Sequence, residues 1–557
     1  MKPDISPQFR GELSMTAPAD TCVVNARVLT MDRDGTIARA FAVRDGRFTA
    51  VGTDQEILAA AGEHTRILDA GGAAVVPGLI DAHSHLEMLA YAWEVAVDVR
   101  STRVGSVRDI VAVLKEAARE VPDAEWILGQ GEHYQHLKLA EGVYPDRHDL
   151  DQVSTTHPVI YRASYHINVF NSLALEMLGV DDDTPDAPGG RIERDDAGVA
   201  TGRTYDMFAP LNGPQAPVGV LAAAMRKTEL RYSAVGVTAV GDIQLHTHAL
   251  AALIQNASDG DLRLRAVAYP KLPTVLSRDD VRSGALKERF AGLDRDRLAL
   301  GGVKIFLDGG LTAGAAALHE DYPQRPGYRG ELAYTDEEVC HLVALADEHG
   351  LQIAMHAIGD RALDQAIAAV EALPAHRRGA IRHRIEHAGN MFMTDKRIKR
   401  MSQARIVPVP QPAFLLTTAV GYVDHLGTER IGTVMPFRTL IDSGLPVPGN
   451  SDAIGITAQQ HNPFPAMRAA VERRAAGGEL LDEQEAVTAE EALRMYTTWA
   501  AHSIGMEDVI GSIETGKAAD FVLLTADPTA VSVTELGHIE PTATWVNGKE
   551  IYLSPRP

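Results

Sequence analysis

The sequence predicts an α/β protein: a (β/α)8 barrel of the TIM type carrying an insertion, with a small β-sandwich formed from both termini. Three observations carry this expectation. Between residues 77 and 506 short apolar strands alternate with helix-like stretches, which implies a parallel sheet. Both ends of the chain are instead runs of β-branched segments cut by turn signals. A length of 557 residues suits one barrel plus something smaller, and is too long for one ordinary domain.

Taken in order, residues 1–20 are polar, contain proline and lack an apolar run, so they read as a disordered arm and not as a signal peptide. CVVNARVLTMD, IARAFAVRDGRFTAVG and RILDAGGAAVVPG read as strands bounded by Asp-Gly, Gly-Thr and Gly-Gly. Near the other end, GSIETGKAADFVLLTAD and TATWVNGKEIYL have the same character, with an Asn-Gly turn. One sandwich built from 21–76 and 507–557 is the economical arrangement. The barrel then occupies 77–506. Its candidate strands are VPGLIDAHSH, PVIYRASYHI, GVTAVGDI, LRLRAVAYP, LGGVKIFLDGG, LQIAMHAIGD, RHRIEHAG, RIVPVPQP and LPVPGNSDA. VRDIVAVLKEAAREV and DEEVCHLVALADEHG have the period of amphipathic helices. The stretch from about 100 to 225 is mixed, with Pro and Gly near DDDTPDAPGG, and is expected to be an insertion over the barrel mouth.

Composition narrows the function classes. Hydrophobic residues make up 45% and charged residues 23%, enough apolar material for a large core. The net charge of −22, from 53 basic and 75 acidic residues, disfavours nucleic acid and anionic membranes as partners. Cys22 and Cys340 are the only cysteines and neither belongs to a zinc motif, so no disulfide framework is expected. No apolar run approaches the roughly 18 residues of a membrane span. A cytoplasmic protein acting on a small molecule is expected, with a homodimer allowed.

The strongest chemical signal is Asp81-Ala-His83-Ser-His85, at the end of an apolar strand. Residues i and i+2 share a face of a strand, so His83 and His85 can grip one ion. His356 ends LQIAMH and His387 ends HRIEH, each at a strand end, where barrel active sites form. Imidazole nitrogen suits zinc and similar ions. Asp452, in Gly449-Asn-Ser-Asp452, is a carboxylate at a late strand end, able to bind metal or move a proton, or else to cap the next helix. Lys304 lies inside the apolar strand GGVKIFLDGG, where a bare ammonium is costly. It needs a counter-ion such as Asp308, a lowered pKa, or reaction with CO2 to an anionic carbamate.

The order HxH, Lys, His, His, Asp resembles the amidohydrolase superfamily, and more closely its amidohydrolase 3 branch, which includes N-substituted formamide deformylases. The matching text is PGLIDAHSH, PVIYRASYHINVFNSLAL, GGRIERDDAGVATG, GVTAVGD, GGVKIFLDGG, MHAIGDRAL, RIEHAG, PVPQP, GNSDA and GSIETGKAADFVLL, spanning about residues 76 to 525. The resemblance implies His83 and His85 on one divalent ion, His356 and His387 on a second, and Lys304 as a bridging N6-carboxylated lysine. Asp452 is then both ligand and acid/base residue, and the ions are expected to be zinc. His166 and Asn171, in YHINVFNS, resemble residues that line the branch's pocket. The chain departs from the branch at Gly131-Glu132-His133-Tyr134, where Gly-Trp is common. It departs again at Thr201-Gly-Arg-Thr-Tyr-Asp206, where Thr-Gly-x-Leu-x-Glu is common. Both departures put the substrate in doubt and leave the metal residues alone.

The expected reaction is attack of a metal-bridging hydroxide on an amide carbonyl, with Asp452 taking its proton and passing it to the departing nitrogen. Gln411 and His166 could hydrogen-bond a neutral carbonyl, and Phe414 and Leu415 offer apolar surface, which favours an N-substituted formamide. Arg162 and His166 are four apart and would share a face of a regular strand; a pocket-facing Arg162 would instead pair a substrate carboxylate and favour N-acyl amino acids. Two rivals remain: a mononuclear deaminase on the same fold, and a non-catalytic scaffold that lost its metals. Metal analysis of the purified protein separates them. About two equivalents per chain are expected for the hydrolase, against about one for the deaminase and none for the scaffold.

Overall fold

Eight short apolar segments of the middle region pair in parallel, as two four-stranded sheets, in the computed structural model, which describes residues 17–555 apart from 133, 165, 188–189, 208–214, 458 and 476. The first sheet contains β1 (Leu79–Ser84), β2 (Val237–Asp242), β3 (Arg265–Ala268) and β4 (Leu298–Leu300). The second contains β5 (Gly302–Phe306), β6 (Gln352–His356), β7 (Arg384–Glu386) and β8 (Val407–Val409). Neighbours in each sheet are neighbours in this order. Every residue of β1, β2, β3, β6, β7 and β8 is buried, as expected of parallel strands covered on both faces.

The two sheets meet twice. Only Gly301 separates β4 from β5, and Lys271, just past β3, forms a parallel bridge to Lys304 of β5. At the other edge lies LPVPGNSDA, read above as a strand. It forms no regular strand, because Pro446 and Pro448 have no N–H to give a ladder. It still docks beside β1: Ala82 N donates to Gly449 O (3.1 Å) and Asp452 N to His83 O (2.9 Å). Asn450 Nδ2 donates to Pro410 O (2.6 Å), just past β8.

The stretch read as an insertion forms a sheet of its own. Its six strands run from Val97–Asp98 through Ile127–Gln130, Val159–Ser164, Ile167–Phe170 and Ala200–Tyr205 to Arg191–Arg194. PVIYRASYHI therefore belongs to this mixed sheet and not to the parallel ones. His133, part of the first departure noted above, lies outside the described residues, as does the arm up to residue 16.

The helices start where the sequence chemistry says they should. Ser106 caps Val107–Ala117, and Thr335 with Glu338 forms a capping box on Asp336–Glu348. Among the described residues no helix is long and apolar enough to cross a membrane.

The two ends of the chain pair with each other. Phe521–Leu524 lies between Ala74–Pro77 and Pro541–Val546 in a six-stranded sheet. A separate four-stranded sheet holds Thr21–Val24, Ala40–Arg44, Arg47–Gly52 and Arg66–Asp69. Side chains of both sheets share one cluster that includes Phe41, Phe48, Val75, Phe521 and Trp545. Phe521 stacks on Trp545 at 4.6 Å and meets Phe41 edge-on at 4.9 Å. The hairpin joining the last two strands turns at Asn547-Gly548, with φ of 50° and 66°, the left-handed pair that Asn-Gly adopts at least cost.

Truncating residues 1–14 should leave activity intact, because they carry no periodic apolar pattern. Deleting 508–557 should give insoluble protein, because it strips Phe521 and Trp545 from the shared cluster. Phe521→Ala alone should cost about 3–5 kcal/mol in chemical denaturation. A soluble, active protein lacking 508–557 would show that the two ends do not depend on each other.

Candidate metal centre and active site

Three imidazoles are fixed through Nδ1, and each by a group from elsewhere in the chain. His83, at the end of β1, donates Nδ1–H to Glu386 Oε2. Glu386 is in turn gripped by Arg384, whose Nε donates to Oε1 (2.8 Å) and Nη2 to Oε2 (3.0 Å). Arg384 Nη2 also donates to Ala82 O (2.8 Å), back on β1. His85 donates Nδ1–H to Ile243 O (2.9 Å), just after β2. His387, just after β7, donates Nδ1–H to Gln411 Oε1 (2.7 Å). An Nδ1–H so engaged leaves Nε2 as the lone-pair nitrogen, the arrangement a metal-binding imidazole needs.

Asp452 meets this set from LPVPGNSDA. Its Oδ1 is 3.2 Å from both His83 Nε2 and His85 Nε2, and the three side chains offer ligand atoms within 4.8 Å of one another. His387 lies 5.7 Å from His83 and 4.5 Å from His356, ring centre to ring centre. His387 and Asp452 both take left-handed backbone conformations, φ 72° and 46°, uncommon for residues other than glycine.

Three buried atoms among the described residues of this cavity have no hydrogen-bond partner: Lys304 Nζ, His356 Nε2 and Asp206 Oδ2. Native proteins rarely leave such atoms orphaned without a ligand to receive them. With imidazole nitrogens and a carboxylate converging beside the first two, these residues fit a divalent cation.

Electrostatics follow from burial. Desolvation lowers the Lys304 amine to about 8, with Arg384 and Lys271 adding to it while Glu386 and Asp452 oppose it. Desolvation also lowers His387, to about 3, and lowers His356. Burial alone would raise Glu386, but Arg384 and His83 outweigh it and hold the carboxylate well below its usual range. Asp452 is likewise held low, against its burial, by the histidines around it.

These groups open onto a cavity of about 370 Å³, a size that suits a small molecule. His83, His85, Lys304, His356, His387 and Asp452 all line it. So does His166, whose Nδ1 is 2.5 Å from Asp206 Oδ1, and whose ring packs over Gly310; a Cβ there would lie 2.7 Å from His166 Cε1. Met88, Leu311, Phe414 and Ile456 supply apolar wall.

Three residues expected to bind substrate are not among those that line the cavity. Asn171 caps the helix Ser172–Met177, accepting from Ala174 N and Val159 N (both 2.9 Å) at Oδ1. Gln411 is turned to His387 and Asn390, and Nε2 donates to Val409 O. Arg162 donates Nε to Asn168 Oδ1 (3.0 Å), its partner across the antiparallel pair. The strand Val159–Ser164 ends before His166 and Ile167–Phe170 returns antiparallel to it, with a register shift between Arg162 and Ser164, so no single strand's alternation aligns Arg162 with His166. Asp308 is not the counter-ion of Lys304. It accepts from Ala317 N, Ile358 N and Gly359 N, and burial raises it to about 7.

Sequence reasoning missed Arg384, Glu386, Asp206 as the partner of His166, and Lys271. A signal for the first two existed. In RHRIEH, two opposite charges at i and i+2 sit on a strand with apolar neighbours, which demands that they pair with each other.

Residues 66–552 match the model of the amidohydrolase family. The N-substituted formamide deformylase of Arthrobacter pascens is 31% identical over 561 residues, covering 96% of this chain and 98% of that protein. Among solved structures, an uncharacterized metal-dependent hydrolase from Pyrococcus furiosus is 27% identical with a TM-score of 0.73, covering 91% of this chain and 99% of its own. Another from Pyrococcus horikoshii OT3 is 25% identical, TM-score 0.74, with 92% and 99% covered.

Gln411→Met should weaken metal binding by on the order of 10–100-fold, because His387 loses the acceptor that fixes its ring. Asn171→Ala should lower stability by at least about 1 kcal/mol and leave metal affinity unchanged. Metal titration and denaturant melts of both variants check this; loss of metal affinity in Asn171→Ala would return that residue to the site.

Proposed function

The chain belongs to the amidohydrolase family and is a metal-dependent hydrolase of carbon–nitrogen bonds, and from that premise we propose that it cleaves a small amide, best an N-substituted formamide. The amide reading is carried by one observation: a carboxylate oxygen of Asp452 equidistant from two oriented imidazoles, at the floor of a cavity with apolar walls. The formamide is supported by likeness to the deformylase over nearly the full length of both chains.

In this reading the two parallel sheets and residues 445–453 form one closed (β/α)8 barrel within 77–506. The sheet of 97–205 is its insertion. The terminal sheets form a composite β-sandwich from 21–76 and 507–557.

His83 and His85 would hold one divalent ion, and His356 and His387 a second, zinc by the chemistry of the donors. Lys304 would lie between them as its N6-carboxylate. Burial favours the neutral amine, the form that adds CO2: nitrogen bonds to carbon, one proton leaves, and the product is an anion. Bound ions would supply Lewis-acid polarisation of the carbonyl and a more acidic water. Asp452 accepts a proton at its carboxylate as the water oxygen bonds to the carbonyl carbon. It returns that proton to the nitrogen as the C–N bond breaks, since an amide anion leaves poorly. His166, held by Asp206, is positioned to donate to the carbonyl oxygen.

The test pairs a substrate with a variant. N-benzylformamide should release formate and benzylamine. Lys304→Ala should lose activity and most bound metal, and short carboxylic acids in solution should restore part of both. Full metal content and a normal rate in Lys304→Ala would remove the bridging role; absence of formate release would remove the formamide.

A further inference from the structure

Lys271 stands in the cavity without a counter-charge, and nothing in the chemistry above uses it. Its backbone is pinned between strands. Lys271 N donates to Gln244 O (3.0 Å), Leu272 N to Lys304 O (2.8 Å), and Val275 N to Lys271 O (2.9 Å). The parallel bridge sets Lys271 level with Lys304, and both side chains line the cavity. The Lys271 ammonium is 4.7 Å from the centre of the Phe306 ring, and that ring stacks on His356 at 4.5 Å. The cation therefore sits one aromatic ring away from the metal-binding histidines.

The cavity's buried carboxylates are committed elsewhere. One oxygen of Asp206 is held to His166, Asp308 accepts from three backbone N–H groups, and Asp452 lies against His83 and His85. Glu331 lines the cavity from an exposed position. No carboxylate among the described residues pairs with Lys271. A cation on an aromatic face gains about 0.5–2 kcal/mol, whereas desolvating an ion costs several kcal/mol. A mostly buried ammonium with only that compensation is a site waiting for an anion. Arg162, the cation that the sequence suggested for this task, is taken by Asn168 and does not line the cavity.

We propose that Lys271 receives a carboxylate of the substrate, so that the amide is an N-formyl or N-acyl amine whose nitrogen substituent carries a carboxylate beside an apolar group. Met88, Leu311, Phe414 and Ile456 would take the apolar part. The substrate class rests on the amide reading above; the anion site itself does not.

The probes are racemic N-formylphenylalanine and N-formylphenylalaninamide, alike in shape and different in charge. Metal-loaded enzyme is assayed for kcat and KM with each, and for binding by calorimetry. The acid should be favoured at least about tenfold, chiefly through KM and Kd. In Lys271→Met the ratio should fall to within about twofold of one, and Lys271→Arg should keep the preference. Equal treatment of the two compounds by the unaltered enzyme overturns the inference, as does a preference that survives in Lys271→Met. Loss of bound metal in Lys271→Met, read by elemental analysis, also overturns it, because the lysine would then serve the metal centre. If calorimetry gives the expected preference and its collapse while neither compound is cleaved, the anion site stands and amide cleavage falls. If neither compound binds, the inference falls.

Discussion

A fully buried ion pair, Arg384 with Glu386, is the constraint from which the rest of the site is built. Both side chains are 0% exposed. A pair so placed gains little net stability over apolar residues of the same size, yet breaking it by removing one partner costs about 3–5 kcal/mol. Its value lies in what it holds. Glu386 fixes the His83 ring, and Arg384 reaches back to the Ala82 carbonyl, so β7 is tied to β1, a strand of the other sheet. His83 is thereby oriented by a strand from the other parallel sheet. His85 and His387 are instead held from neighbouring strands of their own sheets, through Ile243 and Gln411.

Much of the candidate site was legible because its residues obey simple periodicities. HxH on a strand puts two imidazoles on one face, and apolar runs ending in His mark strand ends. Lys304 declared itself by being a charge in an apolar strand. What stayed hidden depended on register and on partners remote in the chain. Arg162 was misjudged because its strand ends before His166 and the chain returns antiparallel, and no residue type in VIYRASYHI announces it. LPVPGNSDA looked like a strand by its apolar content, but its two prolines forbid a ladder. Lys271 follows the strand LRLRAVAYP, where no periodic signal marks it; the parallel bridge to Lys304 sets it level with that residue. Asn171 and Gln411 carry amides suited to substrate, but each is consumed by a backbone or imidazole partner that only the folded chain supplies.

His387 and Asp452 share a further property. Both hold left-handed backbone conformations, which cost about 1–3 kcal/mol where unsupported. The support is local: His387 N donates to Val409 O, and Asp452 N donates to His83 O. Each strained residue is therefore latched to a neighbouring strand at its own amide, and its side chain is aimed by the backbone before any rotamer is chosen.

The six-stranded mixed sheet has a consequence for how such a protein can diversify. His166 and Asp206 reach the cavity from Ile167–Phe170 and Ala200–Tyr205 or the residues beside them, whereas His83, Lys304, His356 and His387 belong to the parallel strands and their ends. One stretch of the gene thus writes part of the cavity wall, and another writes the cluster of histidines and lysine. Recombination or drift confined to the first stretch can alter that wall while the cluster is inherited unaltered.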